Sequence, residues 1–172
     1  MKILIIGPLG AGKSSLAYAI NKKYGLPRLN LDEVHRIKNG GYRSENEQLD
    51  ILNDFIEKNS SWVMEGCQKI LYEKVKPDLI VDMRICRLLA VWRFTLRFFK
   101  AKKLIGRNIA SDLPVQAYHY RKITLSKILE WDDTNKEINE EISAFLKNIK
   151  IPIVKCKNFR DYKRVFELIE LR

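Results

Sequence analysis

The sequence predicts an α/β domain built on a parallel sheet, and three observations carry that expectation. Short apolar runs rich in β-branched residues recur along the chain, segments of helical spacing separate them, and acidic or glycine residues close the runs. Strands separated by helices throughout pair in parallel through right-handed crossovers. A length of 172 residues fits one domain with one core. With no internal repeat, low-complexity tract or long linker, residues 1–172 are expected to form that single domain.

Met1-Ile6 is an apolar run consistent with a first strand buried on both faces. After a glycine-rich turn, Lys13-Tyr24 sets Leu16, Ala17 and Ile20 at helical spacing, and Gly25-Leu26-Pro27 ends that helix. Arg28-Leu31 reads as a second strand closing on Asp32. Glu45-Lys58 places Leu49, Leu52, Phe55 and Ile56 on one helical face, with Ser44 as a cap. Trp62-Met64 is a third strand ending at Glu65-Gly66, and Leu79-Val81 a fourth ending at Asp82. Ile85-Lys103 reads as a helix followed by the breaker Gly106, roughly Val115-Trp131 as a second helical region, and Lys136-Lys147 as a third. Ile151-Cys156 is the fifth strand and Tyr162-Leu171 the closing helix. Parallel sheets collect function at the carboxyl ends of their strands, which singles out Gly7, Asp32, Glu65 and Asp82. Strand ends also collect polar residues that serve only as caps and turns.

Hydrophobic residues make up 46% of the chain and charged residues 31%, an ordinary globular balance. The Met1-Ile6 run is too short for a signal peptide. No stretch reaches the roughly 18 uninterrupted apolar residues of a membrane span. The richest, Ile85-Phe99, carries Arg87, Arg93 and Arg97 at helical spacing. Cys67, Cys86 and Cys156 offer neither an even count nor a CxxC pair, which suits a reducing cytoplasm. The formal charge of +11 favours anionic partners, whether nucleotide phosphates, nucleic acid or an acidic membrane surface, or else reflects a lysine-rich solvated surface.

The most specific feature is Gly7-Pro8-Leu9-Gly10-Ala11-Gly12-Lys13-Ser14, which matches G-x-x-x-x-G-K-S between an apolar strand and an amphipathic helix. Glycines at 7, 10 and 12 let the backbone wrap closely around phosphate oxygens. The amide groups of this loop and of Ser15, together with the positive end of the helix, then converge on an anion. Lys13 supplies a compact positive charge to the β- and γ-phosphates, and Ser14 a hydroxyl to Mg²⁺. A dinucleotide fold also has a glycine turn near this place, but Leu9 interrupts its G-x-G, and the alternative Gly10-Ala11-Gly12 puts Ser15 at the third glycine. No N-K-x-D element of a guanine-specific switch stands on a later strand; Asn21-Lys22-Lys23-Tyr24 lies on the first helix.

The opening GPLGAGKSSLA, Leu31-Asp32, Trp62-Val63-Met64-Glu65-Gly66 and Leu79-Ile80-Val81-Asp82 resemble the small P-loop kinases of the adenylate kinase type. The pattern is most similar to their DNA topology modulation (FlaR-related) and adenylate kinase-like ATPase branch. The resemblance covers roughly residues 1–100. It implies a three-layer P-loop NTPase fold, with a five-stranded parallel sheet of order 2-3-1-4-5, helices on both faces and a small helical lid, here about residues 97–125. It also implies γ-phosphoryl transfer from ATP. On that basis Asp32 corresponds to the acidic residue that contacts an acceptor hydroxyl or a magnesium-bound water. Asp82 stands like a magnesium-ordering carboxylate, or caps the next helix, and Glu65-Gly66 replaces the more frequent Asp-Gly. Arg93 and Arg97 match the R-x-x-x-R spacing at the start of the lid; four residues apart, they share a helical face and can clamp phosphates together. Arg107 is a further lid candidate.

The sequence therefore leads to an ATP- and Mg²⁺-dependent phosphotransferase acting on a small acceptor. Lys13, Asp32, Arg93 and Arg97 are its catalytic candidates, the loop Gly7 to Ser15 holds nucleotide, and Ser14 and Asp82 attend the metal. A rival expectation is a nucleic-acid-associated ATPase or nucleotide-dependent regulator, resting on the +11 charge and the basic segments Arg97-Arg107 and Arg121-Lys127. A nucleotide-binding interaction protein without turnover is the third.

Overall fold

A computed structural model describes residues 1–37, 41–84, 86, 88, 89, 91–93, 95, 96, 130–158 and 160–171. Among these, five strands form one wholly parallel sheet: β1 (Lys2–Ile6), β2 (Arg28–Asn30), β3 (Trp62–Gly66), β4 (Leu79–Met83) and β5 (Ile153–Cys156). Their order across the sheet is β2-β3-β1-β4-β5. The order reverses direction at β1, and doubly wound folds place their ligands beyond the carboxyl ends of the strands at such a switch point.

The helices are α1 (Lys13–Tyr24), α2 (Leu31–His35), α3 (Glu45–Lys58), α4 (Lys69–Tyr72), α5 (Trp131–Lys147) and α6 (Asp161–Glu170). Because successive strand side chains point to opposite faces, β1 feeds two cores at once. Ile3 and Ile5 pack with Leu16, Ala17, Ile20 and Val165 of α1 and α6. Leu4 and Ile6 pack with Val34, Leu52, Leu71 and Ile142 of α2, α3, α4 and α5. All four β1 residues are fully buried, and each such side chain contributes about 1.5–3 kcal/mol. The result is three layers, helices on both faces of the sheet, as expected.

Several local expectations shift. Asp32 does not close a strand: β2 stops at Asn30, whose side-chain oxygen accepts the N–H groups of Asp32 and Glu33 and starts α2. Asp82 lies inside β4, which runs on to Met83. Strand β3 includes Glu65 and Gly66, and β5 begins at Ile153, two residues later than expected. Ser44 caps α3 in a full capping box with Glu47. Within the expected helix Ile85-Lys103, residues 88, 89, 91–93, 95 and 96 are helical. The expected helix at Val115-Trp131 and the lid at 97–125 lie outside the described residues, apart from Glu130, a turn residue, and Trp131, which opens α5.

Candidate functional site

The loop between β1 and α1 is shaped by its glycines. Gly10 (φ 83°) and Gly12 (φ 99°) occupy the left-handed region that side chains disfavour. Gly7 answers a different demand: a Cβ there would stand 2.5 Å from the Met83 carbonyl oxygen of β4. Gly12 is the N-cap of α1, with no side-chain cap bond and no acidic residue in the first turn. The first amides of a helix have no intrahelical partner, so this end carries its partial positive charge without a carboxylate to answer it.

Lys13 is buried, and its Nζ curls back to donate to the carbonyls of Gly7 at 2.9 Å and Pro8 at 3.0 Å. Both acceptors are neutral, so an anion entering the loop gains a charge-assisted partner. Ser14 Oγ donates to Glu65 Oε2 at 3.1 Å. Glu65 is fully buried at the end of β3, and its Oε1 accepts from Asn30 Nδ2 at 2.6 Å and Arg28 Nη2 at 2.8 Å. Burial pushes the Glu65 carboxyl above its ordinary range, the neighbouring Asp32 adds to that, and Arg28 opposes it.

Asp32 sits in the first turn of α2, across from the end of β3. Its Oδ1 lies 3.4 Å from the Cys67 N–H and 3.5 Å from Cys67 Sγ. The Cys67 thiol is raised to about 12 by burial and then by Asp32, so it stays protonated and is no nucleophile at neutral pH. Gly66 lets β3 pass close to α2, since a Cβ there would stand 2.8 Å from Leu31 Cβ. Glu33, beside Asp32, is likewise raised, first by burial.

On the other side of the loop, Arg93 Nη1 donates to the Ala11 carbonyl at 3.2 Å. The guanidinium and the Tyr162 hydroxyl of α6 both reach Gly12, at 3.4 and 2.9 Å from where its Cβ would stand. Arg97 and Arg107 lie outside the described residues. Asp82 turns out to be engaged: Arg84 Nε donates to both of its oxygens, at 2.8 and 3.0 Å. The structure thus brings Lys13, Ser14 and Arg93 to one loop, with Asp32 set beside Glu65 and Cys67, and it is Glu65, rather than Asp82, that meets Ser14.

A hydroxyl and a buried carboxylate 3.1 Å apart form a hard-oxygen pair suited to Mg²⁺, directly or through its waters. Three residues had no sequence signal strong enough to find them. Asn30 shows a helix-cap pattern, an Asn ahead of Leu-Asp-Glu, that the strand reading hid. Arg28 and Asn135 are brought in only by tertiary contacts: Asn135 of α5 bonds Leu9 of the loop from 126 positions away.

No family model matches the chain. Among curated proteins it is 22% identical to the adenylate kinase of Wigglesworthia glossinidia brevipalpis, over 86% of this chain and 80% of that protein. It is 21% identical to the adenylate kinase of Mycoplasmopsis pulmonis, over 99% and 90% of the two chains. Among solved structures, deoxyadenosine kinase from M. mycoides with products dCMP and a flexible dCDP bound matches over 100% of both chains, with a TM-score of 0.56 and 16% identity. These likenesses support the P-loop kinase-like superfamily and its three-layer fold.

Proposed function

We propose that this chain is a P-loop kinase that moves the γ-phosphoryl group of ATP to a small acceptor, with a nucleoside or nucleoside monophosphate as the first class to try. The observation that carries this reading is the uncapped, glycine-shaped start of α1, holding a buried ammonium against neutral carbonyls next to the Ser14–Glu65 pair. The names of the related proteins, adenylate kinase and deoxyadenosine kinase, support the acceptor class.

In this reading the loop amides from Gly10 to Ser15 and Lys13 bind the triphosphate, and Arg93, already on the loop at Ala11, swings onto the transferring group. Ser14 and Glu65 would hold Mg²⁺, which would supply positive charge to offset the charge developing in transfer. With a nucleoside acceptor, Asp32 orients the hydroxyl and takes its proton as the new oxygen–phosphorus bond forms and ADP leaves with the old bridging oxygen. Positioning and electrostatics suffice, and no covalent intermediate is needed. The finer assignments, to the DNA topology modulation branch, to the cytoplasm and to one domain with a lid at 97–125, belong to the same proposal. Among the described residues, no helix is long and apolar enough to cross a membrane. The segments behind the nucleic-acid reading, 97–107 and 121–127, lie outside the described residues, so nothing observed favours it over the kinase.

The test is a screen of nucleosides, nucleoside monophosphates and small alcohols with labelled ATP and Mg²⁺. Transfer to one of them is expected. Tight ATP binding with no transfer to any of these acceptors would sink the kinase reading and leave a nucleotide-binding protein.

A further inference from the structure

The start of the phosphate loop is gripped by a side chain that belongs neither to the motif nor to the sheet. Asn135, on α5, is 4% exposed. Its Oδ1 accepts the Leu9 N–H at 2.8 Å, and its Nδ2 donates to the Leu9 carbonyl at 3.4 Å. A primary amide presents a donor and an acceptor side by side, so it engages a peptide much as a neighbouring strand would. One and two turns further along α5, Asn139 Oδ1 and Ser143 Oγ receive Nη1 and Nη2 of Arg84, at 2.7 and 3.2 Å. The residues at 135, 139 and 143 form one polar stripe. It ties α5 to the loop at one point and to the end of β4 at another. Beside it, Ile138, Ile142 and Phe145 anchor the helix in the core.

This grip bears on nucleotide binding. Immediately beyond Leu9 the loop turns through two left-handed glycines, at 10 and 12. Glycine-rich backbone has the most conformational freedom to lose, and freedom not already removed must be surrendered when the ligand binds. Fixing both polar groups of the Leu9 residue removes part of that freedom in advance. We infer that Asn135 is a positioning residue of the triphosphate site: its side-chain amide preorganises the phosphate loop from outside the motif. The inference rests on the kinase reading above.

The test compares Asn135→Ala with Phe145→Ala, which loosens the same helix by removing core packing against the Tyr72 ring, 4.8 Å away between centroids. Calorimetry with a nonhydrolysable ATP analogue and Mg²⁺ gives affinity, and thermal unfolding gives stability. Asn135→Ala is expected to weaken analogue binding about tenfold, the scale of one lost net hydrogen bond. Phe145→Ala is expected to lose at least as much stability with affinity unchanged within about twofold. Loss of affinity in proportion to loss of stability in both variants would reduce Asn135 to a structural role and overturn the inference. Equal binding by wild type and Asn135→Ala would overturn it alone, whereas no binding by the wild type would remove the kinase reading with it. Should Asn135→Ala not fold, hydrogen exchange of the Leu9 amide in ligand-free wild type decides: slow exchange supports the grip, and fast exchange overturns it.

Discussion

The two ends of the proposed reaction are built in opposite ways. The triphosphate side is almost wholly local: eight consecutive residues supply the turn, the ammonium and the hydroxyl, and Lys13 completes its bonds within six positions. The metal and acceptor side is assembled from afar. Glu65 draws on Arg28 and Asn30, which are 37 and 35 positions away, and Asp32 meets Cys67 across 35. A local site fails most severely through its own residues. Dispersed sites fail wherever the contact network is cut.

The largest effect should come from the local side. Lys13→Ala removes the one ammonium inside the loop, and kcat/KM for ATP is expected to fall about 10²–10³-fold or more. The fold, held by two apolar cores that Lys13 does not join, should keep its circular dichroism spectrum. Unchanged turnover in this variant would break the comparison at its firmer end. Next comes Asp32→Asn, which keeps the side-chain shape and should leave ATP affinity intact while kcat falls about 10²-fold or more, as expected for loss of a group that takes a proton. A parallel loss of ATP affinity would move Asp32 to the triphosphate side.

The same contrast explains what could be read in advance. The loop, α1, α3 and the alternation of strand and helix are written in short-range patterns: glycine spacing, a Ser44 cap, apolar residues every three or four positions. Polar residues at strand ends carry no such pattern, because a carboxylate reads the same whether it awaits a metal or pairs with an arginine. Asp82 shows this. Arg84, two residues on, takes both of its oxygens, and only the return of α5 to hold Arg84 reveals that arrangement. Asn30 was legible in principle as a cap, but a three-residue strand ending on the cap itself left little room for the signal.

A smaller effect would sharpen the picture of the dispersed side. Glu65→Gln keeps an oxygen for Arg28 and Asn30 and removes the charge that burial and Asp32 disfavour. Under the proposed metal role, turnover is expected to fall about tenfold to a hundredfold, with a rise in the Mg²⁺ concentration needed for half-maximal rate. Stability should move the other way, and its pH dependence follows from the direction of the shift. A carboxyl raised in the folded protein costs nothing below its ordinary value of 4.5, where it is protonated folded or unfolded. The cost grows as pH climbs toward the folded value and is complete above it. The stability gain of Glu65→Gln over wild type should therefore be absent under acidic conditions, increase with pH and then level off. Denaturant titrations of both proteins from pH 4 to 8 measure it directly. A gain that shrank with rising pH would mean that Arg28 outweighs burial, making Glu65 a settled ion pair rather than a carboxylate held ready for a cation.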